Sequence, residues 1–232
     1  MPYYFFMLML AFGFSAMLAQ AENNKPVPVA EEPSHHEVLA NDFVRVYHVK
    51  IAPHASTLVH IHDRDYIGVQ LTSGDLTNTP LGGEAKSSHV EPGAAQLIKG
   101  PLTHAVANVG DAPYENITVT LLKTSPQHPP GAVPEGNFGG EGVTTRLLFE
   151  NDLVRAWGVE IAPGGTQAHH VHQLPYLAIA ITDIKFKNVP DKGPPDTISP
   201  KAGEVAWRNA PYGHTITNVS DQPARFIALE FK

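Results

Sequence analysis

Val44-Arg45-Val46-Tyr47-His48-Val49-Lys50-Ile51-Ala52-Pro53 and Val154-Arg155-Ala156-Trp157-Gly158-Val159-Glu160-Ile161-Ala162-Pro163 are two versions of one pattern, 110 residues apart. Both largely alternate apolar with polar side chains, the period of two that a half-buried β-strand requires. Extended outward without a gap, the match lays residues 37–122 over 147–232. Asn41-Asp42 falls on Asn151-Asp152, His60 on His170, His62 on His172 and Tyr66 on Tyr176. Gly93 falls on Gly203, Pro101 on Pro211, His104 on His214 and Asn108 on Asn218. About a quarter of the paired positions are identical, so the chain carries a duplicated domain.

The rest of each copy keeps the same character. Residues 66–71, 105–108 and 117–122 are short apolar or β-branched runs, separated by turn signals such as Gly110-Asp111-Ala112-Pro113. No long amphipathic helix pattern follows the leader. Many short strands at close spacing predict an all-β protein of two small sandwiches or barrels. Residues 35–123 and 146–232 are the expected domains. Between them, 124–145 includes PQHPPGAVPEGNFGGEG and reads as a Pro/Gly-rich linker. Residues 22–34 are polar and read as a flexible tether.

Composition removes several functions. Sixteen Lys and Arg against 23 Asp and Glu leave no basic footprint for nucleic acid. The absence of Cys excludes disulfides, thiolate metal sites and a Cys nucleophile. Residues 3–18 form an apolar run ahead of Ala19-Gln20-Ala21, a small-x-small pattern that predicts a cleaved signal peptide over 1–21. No Lys or Arg precedes the run, which departs from the usual signal, and an uncleaved anchor is the alternative. The expected location is periplasmic or secreted, with no membrane contact after cleavage.

Thirteen His remain to be explained. In a strand, residues i and i+2 share a face. His60-Ile61-His62 and His170-Val171-His172 therefore each present two imidazoles side by side. A third His follows 42 residues later in both copies, at His104 and His214, on a different strand. Three neutral imidazoles converging on one point suit a divalent transition metal with open coordination positions. His35, His36, His48, His54, His89, His128 and His169 have no counterpart in the other copy and are read as packed or surface residues.

These residues resemble a bicupin, two tandem cupin domains, each a jelly-roll type β-barrel. The first cupin motif, G-x5-H-x-H, is matched from Gly164 to His170 and His172. The second is matched from Gly93 to His104 and Asn108, and from Gly203 to His214 and Asn218, with the Gly-to-His spacing kept and the Pro-x-Gly core lost. Where cupins place a metal-binding Glu, this chain has Tyr66 and Tyr176, or Ile67 and Leu177 one step on. The resemblance thus implies three-His sites, similar to a variant among cupin dioxygenases, or else degenerate sites. Tyr66 and Tyr176 are candidate catalytic residues, with aromatic packing as their other role.

The resemblance implies a metal-dependent oxidoreductase of dioxygenase type acting on a small organic substrate, with iron preferred and Mn, Ni, Cu or Zn as other metals. The alternatives are a non-catalytic ligand-binding or assembly module and a zinc-dependent lyase or isomerase. Homo-oligomer formation is left open. The charged run Asp63-Arg64-Asp65 favours the first copy as the active one, whereas Trp157 and Trp207 favour the second.

Overall fold

The computed structural model describes residues 25–125 and 138–232. The expected signal peptide over 1–21 lies outside them. The first copy contributes β1 (Val27–Pro28), β2 (His35–Ala40), β3 (Val44–Ile51), β4 (His60–His62), β5 (Tyr66–Gln70), β6 (Gly74–Pro80), β7 (Lys86–Val90), β8 (Ala95–Ile98), β9 (Leu102–Asn108) and β10 (Tyr114–Leu121). They form two five-stranded sheets, ordered β1-β4-β9-β6-β7 and β2-β3-β10-β5-β8. The second copy contributes β11 (Gly140–Glu150), β12 (Val154–His172), β13 (Tyr176–Ala180), β14 (Phe186–Pro190), β15 (Asp196–Ile198), β16 (Val205–Arg208), β17 (Tyr212–Asn218) and β18 (Ala224–Phe231). Here one long strand replaces two: β12 pairs β18 through residues 154–161 and β17 through residues 166–172, so both sheets join into one.

Two stretches expected to be loose are built into the sheets. In the tether, Val27–Pro28 runs parallel to His60-Ile61, and a 3-10 turn follows at Val29–Glu31. Glu32 anchors it, because its buried carboxylate accepts hydrogen bonds from Ser34 N and Leu58 N at 2.8 and 3.0 Å. In the linker, residues 140–145 open β11, which pairs antiparallel with β12. The run Val143-Thr144-Thr145 supplies the β-branched side chains that favour a strand. Residues 126–137 of the linker lie outside the described ones.

Strand alternation assigns each face its task. Val44, Val46, Ile67, Val69, Ile117 and Val119 turn away from the first lumen. Val154, Ala156, Leu177, Ile179, Ile227 and Leu229 do the same in the second copy, and the two sets form one buried core. Phe43 adds ring contacts to Trp207 and Phe231 at 5.3 and 6.2 Å. The barrels are therefore joined back to back through apolar sheet faces. Their lumens face away from this joint.

The motif glycines and asparagines have structural duties. Gly93 and Gly203 adopt φ of +83° and +84°, a region that L side chains avoid. Asn108 Nδ2 donates to the carbonyls of Ile51, Ala52 and Ala112, and Asn218 Nδ2 donates to those of Ile161 and Gln222. Each Asn thus ties a loop to the strand beside the His.

Candidate metal centres

His170 pairs directly with His214 across β12 and β17, and His60 with His104 across β4 and β9. The 42-residue interval thus brings the third His alongside the first in both barrels. In the second barrel the ring centroids of His170, His172 and His214 are 4.5–5.6 Å apart, and all three residues are buried. Their ligating nitrogens lie within 4.8 Å of one another.

Each ring of the second barrel is oriented from behind through Nδ1. His170 uses the carbonyl of Ala168 at 2.8 Å, His214 uses Oδ1 of Asn188 at 2.9 Å, and His172 uses Oε1 of Glu230 at 3.3 Å. The buried Glu230 is held in turn by Trp157 Nε1 at 3.0 Å and by Arg155 Nη1 at 3.7 Å. Nε2 of both His170 and His214 is buried without a hydrogen-bond partner. A buried polar atom left unpaired is costly, and an ion held by those nitrogens would satisfy them.

The first barrel is built differently. His60 and His104 are oriented by the carbonyl of Leu58 at 2.9 Å and by Asn78 Oδ1 at 3.0 Å. The His104 ring lies tilted at 4.6 Å from that of His60 and edge-on at 5.3 Å from that of His62, and its Nε2 is buried and unpaired. Nε2 of His60 and His62 stand 3.1 Å apart. Two nitrogens about 2.1 Å from a common ion at a right angle would be roughly 3 Å apart, so this spacing fits a chelating pair. The trio whose nitrogens meet within 4.8 Å here is His35, His60 and His62. His35, expected to be a packed or surface residue, is therefore part of the site.

Burial favours the neutral form of His60, His62, His104, His170 and His214. Desolvation, helped by neighbouring imidazoles, lowers His62 and His214 to about 2 and His104 to about 4. His170 also falls to about 4, where desolvation outweighs the hydrogen bond to Ala168. His60 is lowered by the same cause. Neutral imidazole is the form that binds a metal. Glu32 sits below its ordinary value: burial pushes it up, but the bond to His35 and the amides of Leu58 and Ser34 outweigh this.

Tyr66 and Tyr176 stack on His62 and His172, each at 3.9 Å between centroids. Burial raises both phenols above their ordinary value. The charged run forms the connection between β4 and β5. Asp65 binds Lys99 Nζ and Gly100 N, and Arg64 donates to the Leu122 carbonyl. Of the two tryptophans, Trp157 lines the second lumen, while Trp207 packs in the joint between barrels.

No protein-family profile and no curated protein matches the sequence. Solved structures do match. AerE from Microcystis aeruginosa superposes with a TM-score of 0.58 at 13% identity, over 87% of this chain and 98% of that one. A formate complex of Lactobacillus farciminis oxalate decarboxylase gives 0.59 at 16% identity, over 83% and 77%. Bacillus subtilis oxalate decarboxylase, in a structure concerned with its Mn(II) centres, gives 0.56 at 14% identity, over 85% and 75%. The chain folds as a bicupin.

The two halves of this bicupin differ most in their lumens. The second barrel encloses about 400 Å³ and the first about 140 Å³. At matched positions the first lumen has Gln70, Ser88, Gln96, Asn116 and Thr118, where the second has Ala180, Ile198, Ala206, Phe226 and Ala228. A narrow amide-lined chamber and a wide apolar one thus share a single scaffold.

Four supporting groups are not apparent from the His spacing. Asn78 and Asn188 align at the same offset as the His and were open to discovery by it. Glu230 stood out only as a carboxylate inside the apolar run Ile227-Ala228-Leu229. Glu32 lies outside the repeat and gave no signal.

Proposed function

We propose that this bicupin binds a divalent transition metal in both barrels and that the second barrel is an oxidoreductase of dioxygenase type. The observation that carries the reading is the close group of His170, His172 and His214, with Nε2 of His170 and His214 buried and unpaired; in the first barrel Nε2 of His60 and His62 stand 3.1 Å apart, in one close group with His35. The Mn(II) centres of the Bacillus subtilis oxalate decarboxylase, a structural neighbour, support a divalent ion. His170, His172 and His214 would hold it in the second barrel, with His60, His62 and His104 in the first. A redox-active ion such as iron, held there, would supply the electron transfer to dioxygen that oxygenation of an organic substrate needs.

The chain's own groups set the substrate. The second lumen has a volume within the range of small-molecule sites, and its aromatic and aliphatic walls favour a largely apolar body. Arg208, which lines it and lies 6.0 Å from the Tyr212 ring, offers the cationic anchor for an acidic or phenolic head group. Tyr176, packed on His172, keeps that ring in place, and a role for its hydroxyl is tested by Tyr176→Phe. Export is part of the proposal and rests on the apolar run before Ala19-Gln20-Ala21.

Oxygen uptake by iron-loaded protein, across small phenols, diketones and aromatic acids, tests the catalytic reading. Uptake with at least one of them, lost in His214→Ala, is the expected result. If ligands bind and no oxygen is consumed, the second reading holds: a non-catalytic binding module, favoured by the same enclosed apolar lumen. N-terminal sequencing of the mature protein tests export, with Glu22 as the expected first residue.

A further inference from the structure

We infer that His35 is a metal ligand of the first barrel, delivered by the N-terminal arm into one close group with His60 and His62, and that His104, whose ring lies 4.6 Å from that of His60 and whose Nε2 is buried and unpaired, closes this group into a four-His centre on binding. The inference rests on the metal reading and adds a residue from outside the repeat.

Three observations carry it. His35 begins β2, is buried, and has its ring 4.8 Å from that of His60 and 6.0 Å from that of His62. Its Nδ1 donates to Glu32 Oε2 at 2.6 Å, and Glu32 is itself only 2% exposed. A buried carboxylate fixing one ring nitrogen leaves Nε2 as the ligating atom, the arrangement that stands behind many metal-bound imidazoles. The arm is moreover fastened to the metal strand itself. Val27–Pro28 pairs with His60-Ile61, and Leu58 N donates to the other oxygen of Glu32 at 3.0 Å.

The second barrel supplies the contrast. There Phe138 lies against the His pair, stacked on His172 at 4.9 Å and edge-on to His170 at 5.3 Å. An imidazole in one barrel thus has a phenyl in the other. Structural metal sites fill their coordination positions with protein ligands, whereas catalytic sites keep one open. The first centre is accordingly the closed, structural one, and the second keeps room for substrate. Occupying the first centre also fastens residues 27–40 to the barrel.

Cobalt(II) binding in the His170→Ala background, where the second trio is broken, isolates the first centre. One tight equivalent is expected. Adding His35→Ala should lower its affinity at least tenfold and change the visible spectrum, and adding Glu32→Gln should weaken binding by about ten- to a hundredfold. In the unsubstituted protein, cobalt should slow amide exchange across residues 27–40. Unchanged affinity and spectrum in the His35→Ala protein, or no change in exchange on loading, overturns the inference and leaves the metal reading intact. Cobalt bound by the unsubstituted protein but not by the His170→Ala protein also overturns it. Failure of the unsubstituted protein to bind any cobalt overturns both.

Discussion

Nδ1 of His172 meets the carboxylate of Glu230 at 3.3 Å, whereas the residue at the same place in the first barrel is Thr120, whose hydroxyl is buried and unpaired. Nδ1 of His62 is likewise unpaired. The repeat thus preserved the imidazoles and changed what stands behind one of them.

Glu230→Gln should weaken metal binding at the second centre by about ten- to a hundredfold, the usual cost of losing an acceptor behind a ligand. The first centre should keep its affinity. Isothermal titration of zinc into the variant measures both, and an unaltered second-site affinity would show that Glu230 serves only Trp157 and Arg155.

The sign of the pH dependence follows from the buried imidazoles. Unfolded, each takes up a proton near 6.5, whereas in the fold His104 and His170 wait until about 4, and His62 and His214 until about 2. Between these values the unfolded chain binds more protons, so stability falls as pH drops below 6.5. The Tm of chelator-treated protein should decline steadily from pH 7 to pH 5. A flat profile over that window would mean that the imidazoles are not held neutral. Competition by protons for the metal should likewise begin well below pH 6, later than free imidazole would allow.

The difference between lumens can be reversed by exchange at matched positions. Ala206→Gln combined with Ala228→Thr places in the second lumen the groups that line the first, and polar groups buried among apolar walls oppose an apolar ligand. Binding of an apolar fluorescent probe should fall about tenfold or more, with Tm little changed. Equal probe binding would place its site elsewhere on the molecule.

The joint between barrels should dominate global stability. Leu229 is fully buried there, and Leu229→Ala should cost ~2–5 kcal/mol. Because both copies contribute to one core, chemical denaturation followed by Trp157 and Trp207 fluorescence and by circular dichroism should give a single coincident transition. Two separated transitions would show that the halves unfold independently.

Much of this arrangement was legible in the sequence, for a physical reason. Side chains two apart on a strand share a face, so His60 with His62 and His170 with His172 could be paired on sight. The repeat then fixed His104 and His214 as their partners. What stayed hidden came from contacts that periodicity cannot encode. His35 and Glu32 reach the first cluster from a segment with no copy elsewhere, so the repeat that pairs the other histidines does not contain them. Glu230 faces inward from a strand whose alternation gives no hint of a charged interior. The run Asp63-Arg64-Asp65 looked like chemistry because charge near a His pair suggests it, yet Arg64 and Asp65 use their hydrogen bonds to fasten this connection to Leu122, Lys99 and Gly100.

Back-to-back docking leaves an evolutionary freedom that a face-to-face arrangement would deny. The seam is sealed by side chains such as Val46, Ile117, Leu177 and Leu229, all aimed away from the chambers. Replacing Gln96 by an alanine counterpart, or Asn116 by phenylalanine, remodels one room without loosening the wall it shares with its neighbour. Two copies of one ancestral shell were therefore free to specialise separately while sharing one buried core.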